Sequence, residues 1–433
     1  MPNLQITRRP IVLETQASGA MLTDILGRME AISGRSALYG VSDPVKAKLL
    51  AGESIEADFT RGDYRDGFVR NGALATLPGW AFARTGAGYA YEADGGLSNF
   101  LTGVPRITDQ GLLVEPQRTN LITHSKLVSG WSNNGSATVT ANSLLGPDGT
   151  MTGTTVASGS AVADSGRYHL ATVTAGQTYA ESYIVKNVSG CTAMRVGPTN
   201  AAVFVNPTTG TIISAQAGAL SPTIERLPND WFLVQFTRVA PSTTMDDAIY
   251  TDQACSFGVF HAQLELGASP TAPIFTTGST ATRGADAPTV EWDNLFPVTL
   301  VAEFDFTGVA GRIAVFDDSG STPYANMIML HTGPATVLLD VTDQMVSTLA
   351  SLSHGGLAAG ERVRAALCLD NDSARLCVNG GAVQTALLPG LPQNINRLRL
   401  GHYVDGTALN GPVRSFMASR VRLSDAEMQA ATA

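Results

Sequence analysis

The sequence predicts a mainly β protein, two consecutive antiparallel β-sandwich domains preceded by a short helical N-terminal anchor. Short runs of alternating apolar and polar residues recur through most of the chain, as in 178–185 and 231–236, and a period of two marks a strand with one buried face. Turn formers are plentiful, with 44 Gly and 21 Pro in 433 residues, which suits many tight reversals. Hydrophobic residues reach 44 % while charged residues stay at 15 %. That balance can fill cores but is too poor in charge for long solvent-facing helices.

Residues 1–57 read as a helical anchoring and oligomerisation segment. Met21, Leu22, Ile25, Leu26, Met29 and Ile32 share one helical face, and Gly34 follows as a stop. A second helix is expected to open at Ser42-Asp43-Pro44, with Asp43 as cap and Pro44 at the first helical position. A lone helix with one apolar stripe cannot bury it. Docking on another chain is therefore the expectation, with packing on its own sandwich as the alternative.

Residues 58–123, irregular and rich in Gly and Arg, read as a linker and lead-in. Residues 124–286 form the first sandwich, beginning with runs such as Ala137-Thr138-Val139-Thr140. Residues 287–433 form the second. There Val298, Leu300, Ala302, Phe304 and Phe306 point one way, and Thr299, Val301, Glu303 and Asp305 the other. The run 363–369, the polar turn 370–373 and the run 374–378 read as a hairpin, with Asn379-Gly380-Gly381 as the next reversal. A terminal helix is expected over 424–432, with Ser424 as cap and Glu427 three residues on.

The formal net charge of −9 and the lack of any Lys/Arg cluster argue against a nucleic-acid partner. No apolar run approaches the roughly 20 residues of a membrane span, so no membrane insertion is expected. Met1-Pro2-Asn3-Leu4-Gln5 lacks the apolar core of a secretory signal, which points to folding in the producer's cytoplasm. In that setting Cys191, Cys255, Cys368 and Cys377 are expected to be free core thiols, although Cys368 and Cys377 flank the hairpin and could face each other.

Three stretches resemble known families. The segment from Phe82-Ala83-Arg84-Thr85-Gly86 through Val104-Pro105-Arg106-Ile107 to Val114-Glu115-Pro116-Gln117-Arg118-Thr119-Asn120 is similar to the lead-in of many phage tail, tail-fibre and head-spike proteins. In those proteins it precedes a jelly roll like that of carbohydrate-binding modules. Phe204-Val205-Asn206-Pro207-Thr208-Thr209-Gly210 and Leu227-Pro228-Asn229-Asp230-Trp231 resemble the interior of that jelly roll, and Gln263-Leu264-Glu265 with Thr282-Arg283-Gly284-Ala285-Asp286 its exit. The last block, with Arg375-Leu376-Cys377-Val378-Asn379-Gly380 and Val421-Arg422-Leu423-Ser424-Asp425, resembles concanavalin-like, laminin-G-like jelly rolls.

The resemblance implies a structural virion protein of a phage or phage-like particle. Its partners would be other virion proteins, through the N-terminal segment, and host cell-surface polysaccharide. A homo-oligomer is expected, with a trimer favoured for a fibre, because weak glycan sites gain strength when several engage together.

Sugar recognition needs aromatic faces with hydroxyl-binding side chains around them. Tyr324, His402 and Tyr403 are the candidate ligand contacts, and Trp231, inside a strand, is expected in the core. Glu303 and Asp305, alternate residues on one strand, are the candidates for the alternative of a polysaccharide-degrading virion enzyme, whose two carboxyls must face one bond. A purely architectural connector or decoration protein is the other alternative. The six His show no zinc spacing. Asp317-Asp318-Ser319 and Asp370-Asn371-Asp372 are short acidic turns read as solvated rather than calcium-binding. No catalytic residue, metal or cofactor is expected.

Overall fold

The computed structural model describes residues 43–67, 69–126, 130–159, 164–293, 296–318, 324–343 and 348–433. The helix expected over 20–32 lies outside them. Antiparallel sheets form two sandwiches, as expected, but the first is inserted within the second.

The outer sandwich recruits more of the chain than its C-terminal block. Its ten-stranded sheet runs in the order Val69–Asn71, Asp63–Asp66, Ser54–Asp58, Gly411–Ser419, Val298–Asp305, Arg362–Leu369, Ser373–Val378, Gln384–Leu387. Gly111–Val114 also pairs with Gly411–Ser419, and Ile107–Thr108 with Gly111–Val114. The facing sheet has seven strands, with Trp80–Ala83 at its edge beside Ala287–Glu291. The stretch 58–123, read as a linker, thus supplies strands to both sheets and puts Phe59, Tyr64, Leu77, Leu112 and Val114 into the core. Its strands there are two to four residues long, too short for alternation to stand out from irregular text. Gly111 shows how closely they pack. Its φ is +120°, and a Cβ there would lie 2.5 Å from the Val413 carbonyl oxygen.

The alternation read in 298–306 holds. Val298, Leu300, Ala302, Phe304 and Phe306 join the core with Ala314, Phe316, Ile328 and Leu330 of the facing sheet. On the opposite face of the ten-stranded sheet, Val301, Ala366, Cys368 and Met417 are covered by Val45, Leu49 and Leu50 of helix Asp43–Ala51 and by Met428 and Ala431 of helix Asp425–Thr432. The helix near the N-terminus therefore packs on its own sandwich. Ser424 caps the last helix as expected, its Oγ accepting from the Glu427 N–H while Glu427 accepts from the Ser424 N–H.

The inserted sandwich pairs two six-stranded sheets around Tyr183, Phe236, Phe257, Val259 and Leu264. Trp231 is fully buried beside it. Cys191 and Cys255 are joined in a disulfide, which corrects the expectation of free thiols. They lie 64 residues apart, so only the folded sheets bring them together. Cys368 and Cys377 are free and buried, each opposite a different residue, Arg375 and Ala366.

The chain enters this insertion along Arg118–Asn120 and leaves along Ala281–Arg283, and these two strands pair with each other. Around the crossing lies a buried ionic knot. Arg106 donates to Glu115 at 2.6 Å and to both oxygens of Asp286. Arg84 reaches Asp286 at 3.2 Å, and Arg283 pairs with Glu115 at 2.6 Å. Burial pushes the Glu115 carboxyl up, but Arg106, Arg283 and the Ala272 N–H outweigh it and hold it below the usual range. The five residues of this knot all fall within the stretches that resemble phage proteins.

Candidate functional site

The sequence candidates Tyr324 and Tyr403 meet on the outer face of the seven-stranded sheet. Ile328 and Leu330 of strand Met327–Gly333 enter the core, so Met327 and Met329 face outward. Register places Val315 opposite Met329 and Arg399. Tyr403 lies on Val315, Met327 and Met329, and Tyr324 packs against this cluster. The two rings are 5.5 Å apart and tilted by 47°.

Tyr324 has φ +68°, a left-handed conformation that a bulky residue adopts only when its surroundings enforce it. Those surroundings are specific. The Tyr324 N–H donates to the Tyr403 hydroxyl at 3.0 Å, and the Thr342 hydroxyl donates to the Tyr324 carbonyl at 2.7 Å. The Tyr324 hydroxyl donates to Asp405 at 2.5 Å, and Arg312 donates to the same carboxylate at 2.8 Å. That hydrogen bond to Asp405, with burial, raises the Tyr324 phenol, so it stays a donor. Burial works against the Asp405 charge, but Tyr324, the Thr407 N–H and Arg312 hold its carboxyl below the ordinary value. A polar strip continues across the sheet, with His331 on Asp340 at 2.8 Å and Ser351 donating to Asp340 at 2.7 Å.

Two site expectations are corrected. His402 faces inward, 5 % exposed, with Nε2 donating to the Pro288 carbonyl at 3.1 Å. Burial, helped by Arg399, pushes it down to about 4, and no face remains for a ligand. Alternation explains the difference, since His402 and Tyr403 are neighbours and point opposite ways. Tyr403, the other candidate contact, is also only 5 % exposed. It supports Tyr324, the partly exposed ring. Sequence reading missed Arg312 and Asp405, which lie 93 residues apart, although Asp405-Gly406 is a turn signal.

Glu303 and Asp305 do share one face, as read from the strand. Each is paired with an arginine. Arg364 donates to Glu303 at 2.9 and 3.0 Å, and Arg414 grips Asp305 through two bonds of 2.7 and 2.8 Å. A glycoside hydrolase needs two carboxyls facing one bond, one of them to protonate the leaving oxygen; here both carboxyls face arginine partners instead.

In both acidic turns the first aspartate is already engaged within the protein. Asp317 accepts from Arg397 and Arg399. Asp370 accepts from the Asp372 and Ser373 N–H groups and the Ser373 hydroxyl. Among the described residues no three His, Cys, Asp or Glu side chains are grouped for a metal.

No protein-family model matches the chain, and no curated protein matches it. Among solved structures it is similar to the carbohydrate-binding module (CBM40) of the Ruminococcus gnavus IT-sialidase bound to alpha2,3 sialyllactose, with 17 % identity, 33 % of this chain, 92 % of that chain and TM-score 0.29. It is also similar to the leech intramolecular trans-sialidase, with 15 % identity, 33 % of this chain, 26 % of that chain and TM-score 0.27. A third similarity is to the receptor-binding domain of botulinum neurotoxin C/D mosaic serotype, with 9 % identity, 34 % of this chain, 39 % of that chain and TM-score 0.26. These neighbours include carbohydrate-binding modules, but each likeness spans about a third of the chain. Identities this low carry no ligand across.

Proposed function

We propose that this chain is a structural subunit of a phage or phage-like particle that grips host-surface glycans without cleaving them. The supporting observation is Tyr324. Its backbone is held in a disfavoured conformation over the outer side of a sheet, with its partly exposed ring edged by Arg312 and Asp405. Backbone strain concentrates at ligand-gripping sites because an ordinary packing residue would relax out of it. An aromatic ring beside a carboxylate and a guanidinium suits a sugar, whose C–H face stacks and whose hydroxyls seek charged partners. Assignment to a particle rests on the resemblance carried by the knot motifs.

The test uses the full chain, because residues 287–433 alone lack the strands of 54–114. Parent and Tyr324→Ala proteins are applied to arrayed host polysaccharides, and gold-labelled antibody to the chain is applied to particles from the producing cell. The expected outcome is glycan retention by the parent, lost at least about tenfold in Tyr324→Ala, a loss of about 1.4 kcal/mol, with label on the particles. Equal retention by both proteins removes the Tyr324 site, and unlabelled particles remove the virion role.

A further inference from the structure

We infer that the cleft between the two sandwiches is a second carbohydrate site, selective for uncharged sugars. The proposal deepens the glycan-binding reading and does not depend on the Tyr324 surface. The cleft has a volume of about 360 Å³, within the range of small-ligand pockets, which form preferentially at domain boundaries. Leu233 and Gln235 of strand Trp231–Val239, with Glu225 of Leu220–Leu227, line it from the inserted sandwich. Thr307, Asn410 and Pro412 line it from the outer one, and Tyr91 and Gln110 complete it.

The cleft is held open by built structure. The ionic knot fixes the two chain crossings, and Asn410 Nδ2 donates to Ser269 Oγ at 2.8 Å and to the Pro270 carbonyl at 3.2 Å, across the boundary. The Asn410 Oδ1 is buried in the cleft wall with no hydrogen-bond partner among the described residues, an unmet acceptor at the joint between the sandwiches. The amides of Gln110 and Gln235, held by the Tyr91 carbonyl and the Ser182 hydroxyl at 3.1 Å each, line the cleft beside the apolar Leu233 and Pro412, a mixture that matches a sugar's hydroxyl rim and C–H faces.

Charge sets the selectivity. The charged lining residues are Glu115 and Glu225. Glu115 is consumed by Arg106 and Arg283. Glu225 is exposed and has no ion pair among the described residues. Among the described residues no Lys or Arg lines the cleft to receive an acidic sugar, and the Glu225 carboxylate repels one. A neutral hydroxyl can instead donate to it.

Calorimetric titration of the full chain with maltotriose, cellotriose and lactose, and with trigalacturonate as the acidic counterpart, tests the proposal. Binding of at least one neutral sugar is expected, with trigalacturonate at least about tenfold weaker. The double variant Gln110→Ala/Gln235→Ala should weaken neutral binding by about tenfold or more, as loss of two hydrogen bonds implies. Glu225→Gln, at an exposed position that leaves the fold intact, should narrow the gap between neutral and acidic sugars. Tyr324→Ala should leave neutral binding in place, which separates failure of this cleft from failure of the Tyr324 site. Absence of binding by all three neutral sugars, equal affinity for trigalacturonate in the parent, or unchanged binding in the double variant would overturn it.

Discussion

At the scale of single residues, Tyr324 holds a conformation that costs on the order of 1–3 kcal/mol, and the Tyr403 hydroxyl is one of the groups that enforce it. Tyr403→Phe keeps the ring on Val315, Met327 and Met329 but leaves the Tyr324 N–H without its acceptor. Chemical denaturation should show a loss of about 0.5–1.5 kcal/mol, with weaker glycan retention; an unchanged midpoint would mean that the hydroxyl does not hold Tyr324. Two buried histidines set the acid side of stability. His261 is pushed down to about 3 and His402 to about 4, both mainly by burial. Neutral in the fold but protonated when unfolded below about 6.5, they contribute stability that is complete above that pH and lost as pH falls towards 4. Buried Glu181, Asp247 and Glu265, pushed up mainly by burial, slope the other way, so the comparison is between proteins: from pH 8 down to 5, His402→Gln should lose less stability than the parent, and identical slopes would mean that His402 does not contribute. Sequence named Tyr324 and Tyr403 but could not say which ring faces outward. Their exposure depends on Val315, Met327 and Met329 beneath them, contacts no local pattern encodes.

At the scale of elements, the longer strands were legible and the short ones were not. Val298–Asp305, the hairpin Arg362–Leu369 with Ser373–Val378, and the capped last helix follow from alternation, turn chemistry and a capping box. Ser54–Asp58, Asp63–Asp66 and Gly111–Val114 offer only four or five residues each, and their pairing is long-range. The Cys191–Cys255 disulfide was equally hidden, because its partners meet only after the sheets form. The knot residues Arg84, Arg106, Glu115, Arg283 and Asp286 were visible as motifs, while their mutual contact was not. Asp286→Ala leaves the Arg84 and Arg106 guanidiniums without this carboxylate, and removal of one partner from a buried ion pair costs about 3–5 kcal/mol. Urea unfolding should show a loss of that order, and a loss under about 1 kcal/mol would mean that the knot is not a stabilising joint.

For the whole molecule, nesting explains why a linear reading of domains misplaced 58–123. One sandwich interrupts the other, and the interrupted one closes only through strands more than 300 residues apart, such as Ser54–Asp58 on Gly411–Ser419. Insertion also makes a prediction. Arg118 and Arg283 are register partners, so their backbones are about 5 Å apart, and two or three glycines can replace 119–282. The shortened chain should keep a cooperative unfolding transition, whereas 287–433 alone should not show one. If the isolated block folds and the shortened chain does not, the nesting is wrong.

The central claim is that these loops and faces hold a glycan and leave it whole. Incubating intact host polysaccharide with the full chain, then measuring both co-sedimentation and polymer length, tests it most directly. Protein should be carried down with polymer of undiminished length; shortened polymer would show cleavage, and protein left entirely in solution would show that no glycan is held.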